Sequence, residues 1–182
     1  MYASTEFYGI LIEKMILGGL SMQEFYYRRV EDGTFCLTGY EGDEADVVIP
    51  DDKVFTILND KVFRGHSEIT SIKIPDSVTD MGEFLFDGCA NLRSLQLPAE
   101  LRTLWGYTFV RSGIEEIVLP DHLRIIPPFA FKDCKNLRRV VCGAGLEKIY
   151  AWAFSGCDQL TEENLIHGPG ADISPQAFSS RD

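Results

Sequence analysis

The chain has 182 residues, 45% of them apolar and 25% charged, which is the make-up of a folded domain long enough to bury one core. Its formal net charge of −11 argues against nucleic acid as a partner and disfavours anionic membrane surfaces, because phosphate binding needs Lys and Arg clustered on one face. Glu13 and Lys14 interrupt the apolar N-terminal run before it could span a bilayer, so membrane insertion is not expected.

No secretory signal is evident, since MYASTEFYGILIEKMILGG lacks an early basic residue; a cytoplasmic location is then the default. Residues 4–17 open with Ser4-Thr5 before Glu6, carry Phe7, Ile10, Leu11 and Leu17 at helical spacing and stop at Gly18-Gly19. This predicts an N-terminal helix, with a strand as the competing reading because Phe, Tyr and Ile favour strands equally. FYYRRV and TFCLTGY, joined by Glu31-Asp32-Gly33, predict a β-hairpin. Helix and hairpin together, residues 1–45, are expected to cap a repeat domain over 46–182, in one continuous structural unit. The acidic run EGDEADVVIPDD lacks the Gly and closing Glu of an EF-hand loop, so it reads as a solvated loop and no metal site is expected.

From Ile69 to Leu160 one pattern is written four times. Pro75, Pro98 and Pro120 stand 23 and 22 positions apart, and Gly143 takes the slot 23 later. Each unit has an alternating strand such as Ser71-Ile72-Lys73-Ile74, a proline that removes a backbone donor, apolar residues such as Val78 and Met81, and then a helical turn with a phenylalanine. Phe86, Phe109, Phe131 and Phe154 should stack inside as a column, each burial contributing roughly 1.5–3 kcal/mol. Phe63 and Phe178 extend it, the latter in a degenerate last repeat with Leu160, Leu165 and Ile166. The expected class is α/β: a right-handed solenoid with a parallel sheet on one face and short helical turns on the other.

Cys89, Cys134 and Cys157 share one repeat slot, so their spacing follows the architecture and not a zinc motif. Adjacent strands bring Cys134 and Cys157 within reach of a disulfide, but without an export signal free buried thiols are favoured. His66, His122 and His167 stand in turn or loop positions, no nucleophile, base and acid converge, and no phosphate-binding glycine loop follows a strand; no catalytic residue or cofactor is predicted.

These units resemble the BspA-type leucine-rich repeat family, whose repeat reads strand, Pro, hydrophobic-Gly, Ala-Phe, Cys, Leu. The likeness runs from about Phe25 to Phe178; Ser112 in place of Cys, a residue missing after Phe109, and Cys142-Gly143 at a strand end depart from it. The resemblance implies a non-catalytic protein-protein interaction module, adhesin-like, on the surface of a bacterium or protist. The outward strand columns Ser71, Ser94, Glu116, Arg139 and Lys73, Gln96, Val118, Val141 are chemically mixed, with Glu116 beside Arg139. The sharper signal is Phe84, Tyr107, Phe129 and Trp152, aromatics in register two positions before the Phe column. They are the expected partner-binding residues, for a protein, a second copy of the chain or, alternatively, a carbohydrate. Half-burial against the next helical turn or under the N-terminal helix is the competing fate.

Overall fold

The computed structural model describes residues 2–7, 10–18 and 22–180. At the N-terminus β1 (Tyr2–Phe7), β2 (Ile10–Gly18), β3 (Met22–Arg29) and β4 (Phe35–Glu41) form an antiparallel meander. The β3–β4 hairpin falls where the Asp-Gly turn predicts it, with Gly33 at φ +88°. The segment expected to be a helix is instead the pair β1 and β2, so Phe7, Ile10, Leu11 and Leu17 share no helical face. Ile10, Ile12 and Ile16 recur every second or fourth residue, and β3 supplies an edge with which β2 pairs from Glu13↔Tyr27 to Gly18↔Met22; tertiary pairing decides a segment whose local pattern fits both states.

Six coils follow, each with two short strands. They hold in turn β5 (Asp46–Val48) and β6 (Phe55–Leu58), β7 (Ser71–Lys73) and β8 (Asp80–Met81), β9 (Ser94–Gln96) and β10 (Thr103–Leu104), β11 (Glu116–Val118) and β12 (Ile125–Ile126), β13 (Arg139–Val141) and β14 (Lys148–Ile149), and β15 (Leu165–Ile166) and β16 (Asp172–Ile173). The first strands stack as one parallel face and the second strands as another, where the sequence suggested a single sheet. β4 pairs in parallel with β6, which joins the meander to the first coil. Between the faces lies the proline corner: the carbonyls of Pro75, Pro98 and Pro120 accept from Val78, Leu101 and Leu123 at 3.1 Å, and Gly143 repeats the turn with Leu146 at 3.2 Å. A Cβ at Gly143 would come within 2.5 Å of the Pro120 carbonyl, so close approach fixes that glycine.

The third face is made of turns, not helices; among the described residues the only helical element is a 3-10 turn at Glu162–Asn164. Residues in the left-handed region, such as Phe84 (φ 55°) and Gly88 (φ 77°), close the turns of the first five coils before a helix can propagate. The freed amides point along the axis to the next coil, as Phe86 N–H does to Thr108 O at 2.8 Å and Phe131 N–H to Ala153 O at 2.9 Å.

The phenylalanine column forms the core as expected. Phe63, Phe86, Phe109, Phe131 and Phe154 are buried and stacked at centroid distances of 5.6, 5.3, 5.1 and 5.4 Å, with Phe178 a further 5.4 Å on. Ile166, expected to help close the last coil, faces outward. The five cysteines are free. Cys89, Cys134 and Cys157 donate their S–H to the carbonyls of Phe63, Phe109 and Phe131 at 3.0, 2.9 and 3.0 Å. The slot therefore takes a small, buried residue with a weak donor. Burial pushes the Cys89 and Cys142 thiols up to about 12.

Between coils three and four the stack opens on two faces. β9 does not pair with β11, nor β10 with β12, and the strands divide there into separate sheets. Two sequence features cause this. Eight residues separate Phe109 from Ile117, against nine from Phe86 to Leu95 and from Phe131 to Val140, so β11 arrives one residue early. Pro127 stands where Gly82, Trp105, Tyr150 and Ser174 each donate an N–H to the preceding coil, and it has none to give. The turn face stays closed, with Phe109 N–H on Ala130 O at 2.9 Å and Arg111 N–H on Lys132 O at 2.9 Å.

Candidate functional site

The structure brings Phe84, Tyr107, Phe129 and Trp152 together as a second stack on the turn face, outside the phenylalanine core. Successive centroids lie 4.8, 4.9 and 5.5 Å apart with interplanar angles of 10°, 11° and 9°. All four are half-buried. Because the rings stack along the axis, each inner ring has its faces covered by its neighbours and turns its rim outward. Lys61 Nζ and the Arg64 guanidinium lie 6.0 and 5.9 Å from the Phe84 ring, and Lys132 Nζ lies 5.8 Å from Phe129. With β1 and β2 as strands, no helix among the described residues lies across this file.

All four aromatics sit at positive φ, between 55° and 63°. A left-handed backbone costs about 1–2 kcal/mol at a residue with a Cβ, and aromatic side chains seldom adopt it. Here the carbonyls of Phe84, Tyr107, Phe129 and Trp152 accept from Asp87, Val110, Lys132 and Ser155 at 3.1–3.2 Å, which fixes the turn, and stacking offsets the strain. Beside the ladder the Asp87 carboxylate, 2% exposed, takes Arg64 Nε at 3.0 Å and Arg111 Nη2 at 2.6 Å. That clamp ties coils one, two and three at their turns.

The outward strand columns converge on nothing. Arg139 lies 3.8 Å from Glu116 as its strand neighbour, and Arg138 reaches Glu116 at 3.1 Å; both are exposed pairs, worth under about 1 kcal/mol each. Sequence reasoning missed a second aromatic feature on the face of the second strands. Trp105 is 53% exposed, Ile125 42% and Tyr150 38%; the first two line the groove at the junction between β10 and β12, and Tyr150 follows β14 one coil on. His122, placed by sequence in a solvent-facing slot, lines the groove there with Arg102 and Arg124. One signal was available: the slot of Gly82, Pro127 and Ser174 is filled by a tryptophan at 105 and a tyrosine at 150.

Residues 56–182 match the family described as BspA type leucine rich repeat region, in six copies. The chain belongs to this family. The six copies of the BspA-type repeat correspond to the six coils, each carrying one phenylalanine of the core column. Among solved structures, a leucine rich cell surface protein of Faecalibacterium prausnitzii superposes with a TM-score of 0.68 at 20% identity, over 87% of this chain and 41% of that one. The leucine rich repeat protein of T. pallidum gives 0.61 at 26% identity, covering 78% of each chain. A leucine-rich repeat protein of Bacteroides ovatus gives 0.54 at 26% identity, over 75% of this chain and 44% of that one. The chain thus spans less than half the length of the F. prausnitzii protein. No curated protein sequence matches it. Among the described residues no helix is long and apolar enough to cross a membrane.

Proposed function

We propose that this chain is a non-catalytic interaction module that binds a protein partner along the aromatic ladder Phe84, Tyr107, Phe129 and Trp152, in the manner of an adhesin repeat. The observation that carries this reading is the ladder itself: four half-buried rings in one file, held at a backbone conformation that disfavours them. Aromatics with fixed backbones and little rotamer freedom to lose make effective interface anchors. The row of rims suits aliphatic and aromatic side chains of an extended partner segment, and Lys61, Arg64 and Lys132 beside it suit flanking carboxylates. The cell-surface description of the F. prausnitzii protein supports the adhesin reading. A carbohydrate is the weaker occupant here, since a sugar stacks on a ring face and the faces of Tyr107 and Phe129 are already covered.

The test is affinity capture from intact cells and matrix proteins with the wild-type chain and with Phe129→Asn/Trp152→Asn, asparagine being tolerant of positive φ. A partner retained by wild type and lost by a double variant with an unchanged melting temperature fits the reading. A partner retained equally by both, or self-association lost in the variant with no foreign protein captured, contradicts it.

A further inference from the structure

The open junction between coils three and four holds a groove of about 600 Å³ between β10 and β12. Its apolar walls are Trp105, Ile125 and Pro127. Trp105 is more than half exposed, and among the described residues no aromatic ring lies against its indole, unlike the ladder rings. Its main chain is pinned: the N–H donates to Met81 O at 3.1 Å and the carbonyl accepts from the Thr108 hydroxyl at 2.6 Å. The indole therefore projects from a fixed point, which is the preorganisation a binding platform needs.

The polar residues of the lining are Arg102, Thr103, His122 and Arg124, and the charged ones are paired with carboxylates beside the groove. Arg102 lies 3.5 Å and His122 Nε2 3.9 Å from Glu100, and Arg124 pairs with Glu147. Each guanidinium is thus paired with a carboxylate beside the groove, which offsets its charge while its remaining N–H groups stay available as directed donors. A purely apolar side chain would strip water from these groups and return nothing. A pyranose ring meets both demands: its C–H face packs on the indole, and its hydroxyls bond the Arg102 and Arg124 guanidiniums.

We propose that the Trp105 groove binds a neutral oligosaccharide. The site uses none of the ladder residues, so it stands or falls separately from the protein-partner reading. The groove lies where the β-ladder breaks: β10 and β12 do not pair, whereas the second strands pair at every other coil junction.

The experiment is calorimetric titration of the whole chain with cellohexaose, chitohexaose and mannohexaose, alongside a heparin hexasaccharide, repeated with Trp105→Ala and Trp105→Phe. At least one neutral hexasaccharide should bind below about 1 mM, weaken by about tenfold or more in Trp105→Ala, and largely recover in Trp105→Phe. Far-UV dichroism and melting temperature confirm that the variants fold, as expected at so exposed a site. No neutral probe binding below about 1 mM, binding indifferent to Trp105→Ala, or preference for the sulfated probe would each overturn the proposal. So would loss of concentration-dependent self-association in Trp105→Ala without any sugar binding, which would make the groove a contact between copies.

Discussion

Phe109 and Phe131 stack at 5.1 Å and 4° across the one coil junction where the strands on both other faces part. The aromatic core and the turn face thus carry the continuity of the solenoid at that point. Phe131→Ala should cost roughly 3–5 kcal/mol, the range for emptying a packed aromatic site, read by urea denaturation. A loss below about 1 kcal/mol would place Phe131 outside the core.

Tyr107 tests the strain in the ladder. At φ 61° alanine keeps the steric penalty while losing the stack, whereas glycine sheds the penalty. Tyr107→Gly should therefore be more stable than Tyr107→Ala by about 1 kcal/mol, the reverse of the order in a helix or strand interior. Equal stabilities in thermal unfolding would mean that position 107 does not hold a left-handed backbone in solution.

The buried thiols predict an alkaline limit. Cys89 and Cys142 ordinarily titrate near 9.0 and are pushed up to about 12 by burial, and burial raises Tyr40 from 10.0 to about 12. Above about pH 9 the unfolded chain releases thiol protons that the native state keeps, so this stability is complete below that pH and drains away as pH rises toward 12. Urea midpoints should be level from about pH 6 to 8 and fall from about pH 9 upward, with a shallower fall in Cys89→Ala. An equal slope in the variant would show that the Cys89 thiol ionises as freely in the fold as out of it.

The repeat, its phenylalanine column and the in-register aromatics were legible in the sequence because each recurs at a fixed interval, and packing positions in a solenoid must recur. What does not recur was opaque. Residues 4–17 carry spacing that fits a helix and a strand alike, and only the edge of β3 decides between them. The left-handed backbone at Phe84, Tyr107, Phe129 and Trp152 has no sequence signature, because glycine or asparagine is what that geometry normally selects. The short interval after Phe109 was visible as a count, but its effect emerges only when Ile117 must pair with Leu95 and Pro127 faces Leu104 without an N–H. Trp105 escaped notice because its slot alternates with glycine, proline and serine, and only Tyr150 repeats an aromatic there.

Residue-resolved amide hydrogen exchange tests the break between coils three and four most directly. The amides of Arg124 and Ile125 have no strand partner on coil three, whereas those of Glu147 and Lys148, the same slots one coil later, donate to Arg124 O at 2.8 and 3.1 Å. Arg124 and Ile125 should exchange at least about tenfold faster than Glu147 and Lys148, as expected for amides that open without global unfolding. Equal protection across the two sets would mean that the ladder is continuous through all six coils and that no cleft separates β10 from β12.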